Sequence, residues 1–386
     1  MERAETVVEP PTSSRRHRIC VIAGDGVGPE VVKQGLRVVD EASRTGGFTL
    51  DVEELPWSAS YFRKTGRMMP ADALSVVEQF DAIYFGAVGS PDVPDDVSVW
   101  GLLMPIRKHL DLYVNVRPIR GFRGVRRLHS APVEDIDISI VRENTEGEYA
   151  NIGGRVYADE REVAVQTSVF TRRGIARVLD YAFRLAADGR GIQSVTKSNA
   201  LAHSMTLWDE VAYDTAARYP DVAFERIHVD AAAYRMIVAP QTFQVVVASN
   251  LFGDILSDLG AGLIGSLGLA ASANLNPEES RGLFEPVHGS APDIAGRGIA
   301  SPIGSILSGA MMLDFLGETS VADEIRTTVA QVLETGAGTP DIGGECGTAE
   351  FADEVVSALH RQKVRSWAAR NARTRKGFCR CGGSTT

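Results

Sequence analysis

Five apolar residues, Ile19 to Ala23, run into the glycine turn GDGVGPE (Gly24 to Glu30), and beyond it Val31, Val32, Leu36, Val38 and Val39 return at helical spacing. An unbroken apolar run of this length reads as a strand buried on both faces and covered by a helix. Pro29 suits the first turn of that helix, where its missing N–H would have no partner anyway. Ala82 to Ala87, Ile136 to Val141 and Val245 to Ala248 are further strands of the same kind. Strands alternating with helical stretches give an α/β protein. The turn is not a dinucleotide fingerprint: Gly24 and Gly26 match G-x-G-x-x-G, but the third glycine, Gly28, comes one residue early and Pro29 takes its place. Ile303 to Leu316 is almost wholly apolar, the pattern of a core or subunit-interface helix.

At 386 residues and 44% hydrophobic, the chain can bury a large core, as two domains or one large one. No internal repeat or long linker marks a division. The net charge of -10 argues against a nucleic-acid partner, so an anionic ligand would need locally concentrated positive charge. Cys20, Cys346, Cys379 and Cys381 form no disulfide framework, which points to a reducing cytoplasm. Cys379 and Cys381 lack the second pair that a zinc site needs. Residues 1–16 carry no secretory h-region, and no charge-free apolar run is long enough to span a membrane. The Arg-rich end, Arg361 to Arg380, has too few interleaved aromatics for a nucleic-acid surface and reads as a solvated basic tail.

Asp254 and Asp258 lie four residues apart in NLFGDILSDLG, on one face of a helix and otherwise among apolar residues. Two ionised carboxylates are costly to bury without a counter-charge, so the spacing suits one hard cation; a solvated acidic face would have the same spacing. Arg107, Arg117 and Arg142 would together hold a small di-anionic acid, because guanidinium forks match carboxylates. Lys197, directly after an expected strand, is one of six lysines and a candidate titratable amine. HGSAPD, His288 to Asp293, offers backbone donors, an imidazole and a carboxylate suited to a ribose, or else an ordinary turn.

In order, GDGVGPE, NVRPIRGF, VRENTEGEY, TKSN, ASNLFGDILSDLG, FEPVHGSAPDIAG and TPDIGG resemble the β-decarboxylating dehydrogenase family of isopropylmalate and isocitrate dehydrogenases, from about Ile19 to Leu359. The resemblance implies an isopropylmalate/isocitrate dehydrogenase-like two-domain α/β fold, not a Rossmann fold, assembled as a homodimer with shared active sites. Residues 17–112 and 265–362 would form a discontinuous NAD-binding large domain and 113–264 the small domain. A disordered extension over 1–16 and a basic, disordered tail over 363–386 would flank them. It further implies that Asp254 and Asp258, with Asp230 from the other subunit, bind Mg2+ or Mn2+, with K+ as an accessory cofactor. Arg107, Arg117 and Arg142 would bind the substrate carboxylates. Lys197, also from the other subunit, would be the base at the C2 hydroxyl, and Tyr149 the acid at C3. A lysine base must fall from about 10.4 towards 7 or 8, which a nearby cation favours. His288, Gly289, Ser290, Ala291 and Asp293 would line the NAD adenosine. Ser301 stands where the family usually has an Asn on the adenine.

In that family the segment before the first substrate arginine reads the C3 group of the acid. Isopropylmalate enzymes place Glu where this chain has Trp100; isocitrate enzymes place Ser and Asn where it has Gly101 and Leu103. VSVWGLLMPIRKHLDLYVNVRP, VFTRRG and TPDIGG resemble instead the tartrate and D-malate dehydrogenase branch. A bulky indole shrinks the pocket and favours a small 2-hydroxy acid with hydrogen or hydroxyl on C3. Oxidation of 3-isopropylmalate or another substituted malate is the alternative. A non-catalytic family subunit is disfavoured, because no arginine, lysine or aspartate of the set is missing.

Overall fold

The computed structural model describes residues 15–127, 132 and 136–362. Its strands are β1 (Arg15–Gly24), β2 (Phe48–Glu54), β3 (Ala82–Ala87), β4 (Val114–Arg120), β5 (Asp137–Glu143), β6 (Gly147–Val156), β7 (Val163–Val169), β8 (Ile192–Thr196), β9 (Phe224–His228), β10 (Val245–Ala248), β11 (Ala271–Asn276) and β12 (Arg281–Pro286). Ten of them form one sheet in the order β2-β1-β3-β12-β11-β4-β5-β10-β8-β9, and β6 and β7 pair as a separate antiparallel hairpin.

The four strands β2, β1, β3 and β12 are mutually parallel, as are β5, β10, β8 and β9. Antiparallel pairing of β12 with β11, β11 with β4, and β4 with β5 joins the two groups, which therefore run in opposite directions. Within the large sheet, the strands drawn from residues 113–264 occupy one side of the β11/β4 boundary without interruption. The apolar runs read from the sequence are strands here: β3 is buried along its whole length, as is β10.

Helix Gly28–Gly46 carries Pro29 in its first turn and stops at Gly47, whose φ of 69° is the left-handed conformation that ends helices. Helix Ile303–Phe315 packs against it, against helix Thr319–Glu334 and against β11 and β12. Most of its apolar surface is thus buried inside one chain, while Leu307, Met311 and Phe315 stay partly exposed along a cavity. β1 begins at Arg15, two residues before the boundary expected from sequence, because Arg15 and Arg16 pair in register with Phe48 and Thr49 and bind Glu318 and Asp51. The rest of the expected N-terminal extension, and the basic tail with its Cys379 and Cys381, lie outside the described residues. Among the described residues no helix is long and apolar enough to cross a membrane.

Candidate active site

Alternation along β4 aims Asn115 and Arg117 to one face of the sheet. The neighbouring β5 brings Arg142 beside them, with Asn115 opposite Arg142 in register. Helix Asn250–Ile264 crosses that face and presents Asp254 and Asp258 one turn apart. Asp254 Oδ1 accepts from Arg117 Nη1 at 3.1 Å and from Arg142 Nη1, and its Oδ2 accepts from the Tyr149 hydroxyl at 3.0 Å. Arg117 Nη1 also lies 3.6 Å from Asp258 Oδ1 and donates to Ser257 Oγ at 2.7 Å. Asn250 Oδ1 takes Nε and Nη2 of Arg142 at 2.9 and 2.7 Å, fixing the fork in its plane. The Arg142 guanidinium lies 5.4 Å from the centre of the Tyr149 ring.

Arg107, on helix Leu103–His109, is buried and donates from Nη2 to Glu285 Oε1 at 2.5 Å, while its Nε is buried without a partner. Arg107, Arg117 and Arg142 are thus matched by Glu285, Asp254 and Asp258. A di-anionic acid arriving with a divalent cation would leave that balance unchanged, so the site can take both without a net desolvated charge.

Burial acts on each group differently. It pushes the Arg142 guanidinium down to about 10, helped by the charge of Arg117 and opposed by Asp254. It also pushes Asp254 upward, but Arg142, Arg117 and the Tyr149 hydroxyl outweigh it, and the carboxyl sits below its usual range. Asp258 ends above its usual range: burial raises it, Arg117 lowers it, and the neighbouring Asp254 raises it again. A raised carboxyl beside a second carboxylate is short of positive charge. Both acids keep part of their side-chain surface exposed, 35% for Asp254 and 55% for Asp258, so they fit the hard-oxygen half of a Mg2+ or Mn2+ site.

Lys197 and Asp230 sit apart from this cluster. Parallel β8 and β9 place Thr196 opposite His228, so the residues just beyond their carboxyl ends come together, and Lys197 Nζ donates to Asp230 Oδ1 at 2.8 Å. Asp230 is in the first turn of helix Val229–Val238. Among the described residues no three His, Cys, Asp or Glu side chains converge on one ion position. Asp230 therefore does not complete the Asp254/Asp258 pair within a single chain.

Trp100, on helix Asp95–Gly101, lies under the Lys108 ammonium, 4.7 Å from Nζ to ring centre. The loop His288 to Asp293 follows β12 and docks on the glycine turn, where Val27 N donates to Ser290 O at 2.8 Å. Gly26 has φ 59°, and a Cβ there would stand 1.9 Å from Ser290 O, so the approach requires glycine. Two glycine elements that are separate in sequence are one surface. His288 Nδ1 donates to Gly289 O, 3.0 Å away, and leaves Nε2 sealed without a partner; Gly289 borders open space and Asp293 is exposed. An orphan imidazole nitrogen and an exposed carboxylate on an open loop fit a polar ligand such as NAD. Ser301 is buried, and its Oγ accepts from Ile303 N at 3.4 Å at the start of the core helix.

Sequence reasoning missed Asn115, Asn274, Glu285 and Asn250. Three had a visible signal: Asn115 stands two residues before Arg117, hence on the same strand face, Glu285 lies inside FEPVHGSAPDIAG, and Asn250 lies inside ASNLFGDILSDLG, four residues before Asp254.

The family model described as isocitrate/isopropylmalate dehydrogenase matches residues 18–355. D-malate dehydrogenase [decarboxylating] of Escherichia coli (strain K12) is 49% identical over 356 residues, covering 89% of this chain and 99% of that one. Tartrate dehydrogenase/decarboxylase of Pseudomonas putida is 47% identical over 357 residues, covering 89% and 98%. Among solved structures, isocitrate dehydrogenase from Methylococcus capsulatus superposes with a TM-score of 0.81 at 38% identity, covering 89% of this chain and 99% of the other.

Proposed function

The chain belongs to the isocitrate/isopropylmalate dehydrogenase family, and on that premise we propose that it is an NAD- and divalent-metal-dependent enzyme that oxidises D-malate or a tartrate at C2 and then releases CO2 from the β-carboxylate. The observation that carries this reading is the convergence of Arg117, Arg142 and Tyr149 on Asp254, with Arg107 held buried by Glu285.

Arg107, Arg117 and Arg142 hold the two carboxylates of the acid, which fixes C2 and C3 in orientation. Asp254 and Asp258 hold a divalent cation, with Asp230 of a second subunit as the third ligand. When bound, the cation supplies positive charge that favours loss of the C2 hydroxyl proton and the enolate electron flow, and NAD supplies the hydride acceptor. Lys197, from the second subunit, takes the C2 hydroxyl proton at Nζ. The Tyr149 hydroxyl delivers a proton to C3 once the carboxylate has left. Trp100 fills the side of the pocket facing C3 and keeps it small. The loop His288 to Asp293 holds the adenosine, with Asp293 disfavouring a 2'-phosphate.

Residues 17–112 and 265–362 are read as the large domain and 113–264 as the small one, a division supported by the uninterrupted strand order on each side of β11/β4. A homodimer is supported by the large apolar side chains left exposed on two neighbouring helices, Tyr234, Ile237, Val238 and Ile255, and on the β6–β7 hairpin, Ile152, Val163 and Val165.

The test is a steady-state panel with NAD and Mn2+, comparing kcat/KM for D-malate, L-tartrate, meso-tartrate and 3-isopropylmalate. The expected order puts D-malate or a tartrate first. A preference for 3-isopropylmalate, or full turnover in EDTA, overturns the substrate or the metal assignment respectively.

A further inference from the structure

Asn274 is fully buried at the middle of β11, and its amide makes every hydrogen bond it can. Oδ1 accepts from Asn115 Nδ2 at 2.9 Å and from Asn144 Nδ2 at 3.0 Å; Nδ2 donates to Glu285 Oε1 at 2.9 Å and to Leu283 O at 3.2 Å. Two of its three polar side-chain partners bond an arginine directly. Glu285 Oε1 receives Arg107 Nη2 at 2.5 Å, and Asn115 Oδ1 receives Arg117 Nε at 2.8 Å. Asn144 follows Arg142 by two residues and is pinned by a bond from its Nδ2 to Leu112 O at 2.9 Å and from its backbone N to Tyr113 O at 3.1 Å.

The sheet register explains how one side chain reaches all of them. Asn274 stands opposite Leu283 on β12 and opposite Asn115 on β4, and Asn115 stands opposite Arg142 on β5. Leu283, Asn274, Asn115 and Arg142 thus form one row across four strands. The row crosses the boundary between the two strand groups, with Arg107 tied to one side through Glu285 and Arg117 and Arg142 on the other.

We propose that Asn274 is a positioning residue that sets the spacing of Arg107 against Arg117 and Arg142, and so controls affinity for a dicarboxylate without touching it. The inference rests on the reading that these arginines bind the acid. A buried amide with all four valences used has one arrangement, and losing it strands donors and acceptors on three strands at once. Glu285 and Asn115, the partners that fix Arg107 and Arg117, would then each lose a bond that holds them in place.

The experiment is calorimetric titration of D-malate, with L-tartrate and meso-tartrate in parallel, in the presence of Mn2+, into Lys197→Met protein and into Lys197→Met carrying Asn274→Ala. NADH binding and the thermal midpoint are measured alongside. The expected result is acid affinity about 10- to 100-fold weaker with Asn274→Ala, the range typical for outer partners of ligating groups, and unchanged NADH affinity. A role confined to stability would lower the midpoint and leave the acid affinity intact; that result overturns the inference alone. Failure of all three acids to bind Lys197→Met protein overturns the arginine assignment and this inference with it. If Asn274→Ala does not fold, Asn115→Ala, which cuts the Arg117 branch together with the bond to Ser272 Oγ and leaves the Glu285 branch in place, decides by the same comparison.

Discussion

Arg107 and Glu285 form a buried ion pair, Nη2 to Oε1 at 2.5 Å, with both side chains at 8% exposure. Neither charge can be left alone at that depth, because removing one partner strands the other away from water. Glu285→Ala is expected to lower unfolding stability by about 3 kcal/mol, and adding Arg107→Met should recover more than half of the loss. Urea titration of the two single variants and the double variant measures this. Additive losses would show the pair to be energetically uncoupled.

Lys197 and Asp254 are assigned to the same reaction but not to the same chain. Lys197→Met and Asp254→Asn homodimers are each expected to be inactive. Unfolding the two together and refolding them should restore about a quarter of wild-type activity, since half of the dimers are mixed and each has one intact site of two. Activity is read as NADH absorbance per mole of subunit. A mixture as inactive as its components would place each site inside one chain.

His288 carries its imidazole below the usual range because burial disfavours the charged ring, against smaller opposing effects of Gly289 O and Asp341. The sign follows from proton counting. The unfolded chain's histidine titrates near about 6.5, so from there down to the lower folded value the unfolded state binds more protons and stability falls with pH. The contribution is present above that window and lost below it. The midpoint difference between wild type and His288→Gln, followed from pH 8 to pH 5, should therefore shift towards the variant as pH drops. A gap that stays flat would show that the ring titrates alike in both states.

Cys20 is fully buried in β1, and burial, aided by the charge of Glu53, pushes its thiol up to about 12. Thiolate, not thiol, is the nucleophile. Native protein treated with iodoacetamide at pH 8 should leave Cys20 unmodified in a peptide map, and unfolding in urea should expose it. Labelling of Cys20 in the native state would show that β1 opens without global unfolding.

How much of this was legible in the sequence depended on the range of the interaction. Ala82 to Ala87 and Val245 to Ala248 are strands with those bounds, because burial on both faces leaves an uninterrupted apolar run. Asp254 and Asp258 share a helix face because helical spacing is local. Asn274 was invisible for the opposite reason. A polar residue in a strand normally reads as facing solvent, and only pairing with β4 and β12 shows that its face is enclosed. The contact of Val27 with Ser290 joins segments far apart in the chain, and no local pattern encodes it. Strand direction was equally hidden, so the antiparallel seam through β11 and β4 could not be foreseen from apolar runs alone.

That seam has a mechanical consequence. Ala273, Asn274 and Leu275 of β11 are laddered to Val116, Asn115 and Val114 of β4, so the two groups of strands meet through hydrogen bonds and not through a slack tether. Any rotation of one group against the other must twist a continuous ladder. The resistance to such a rotation is therefore a property of the sheet itself.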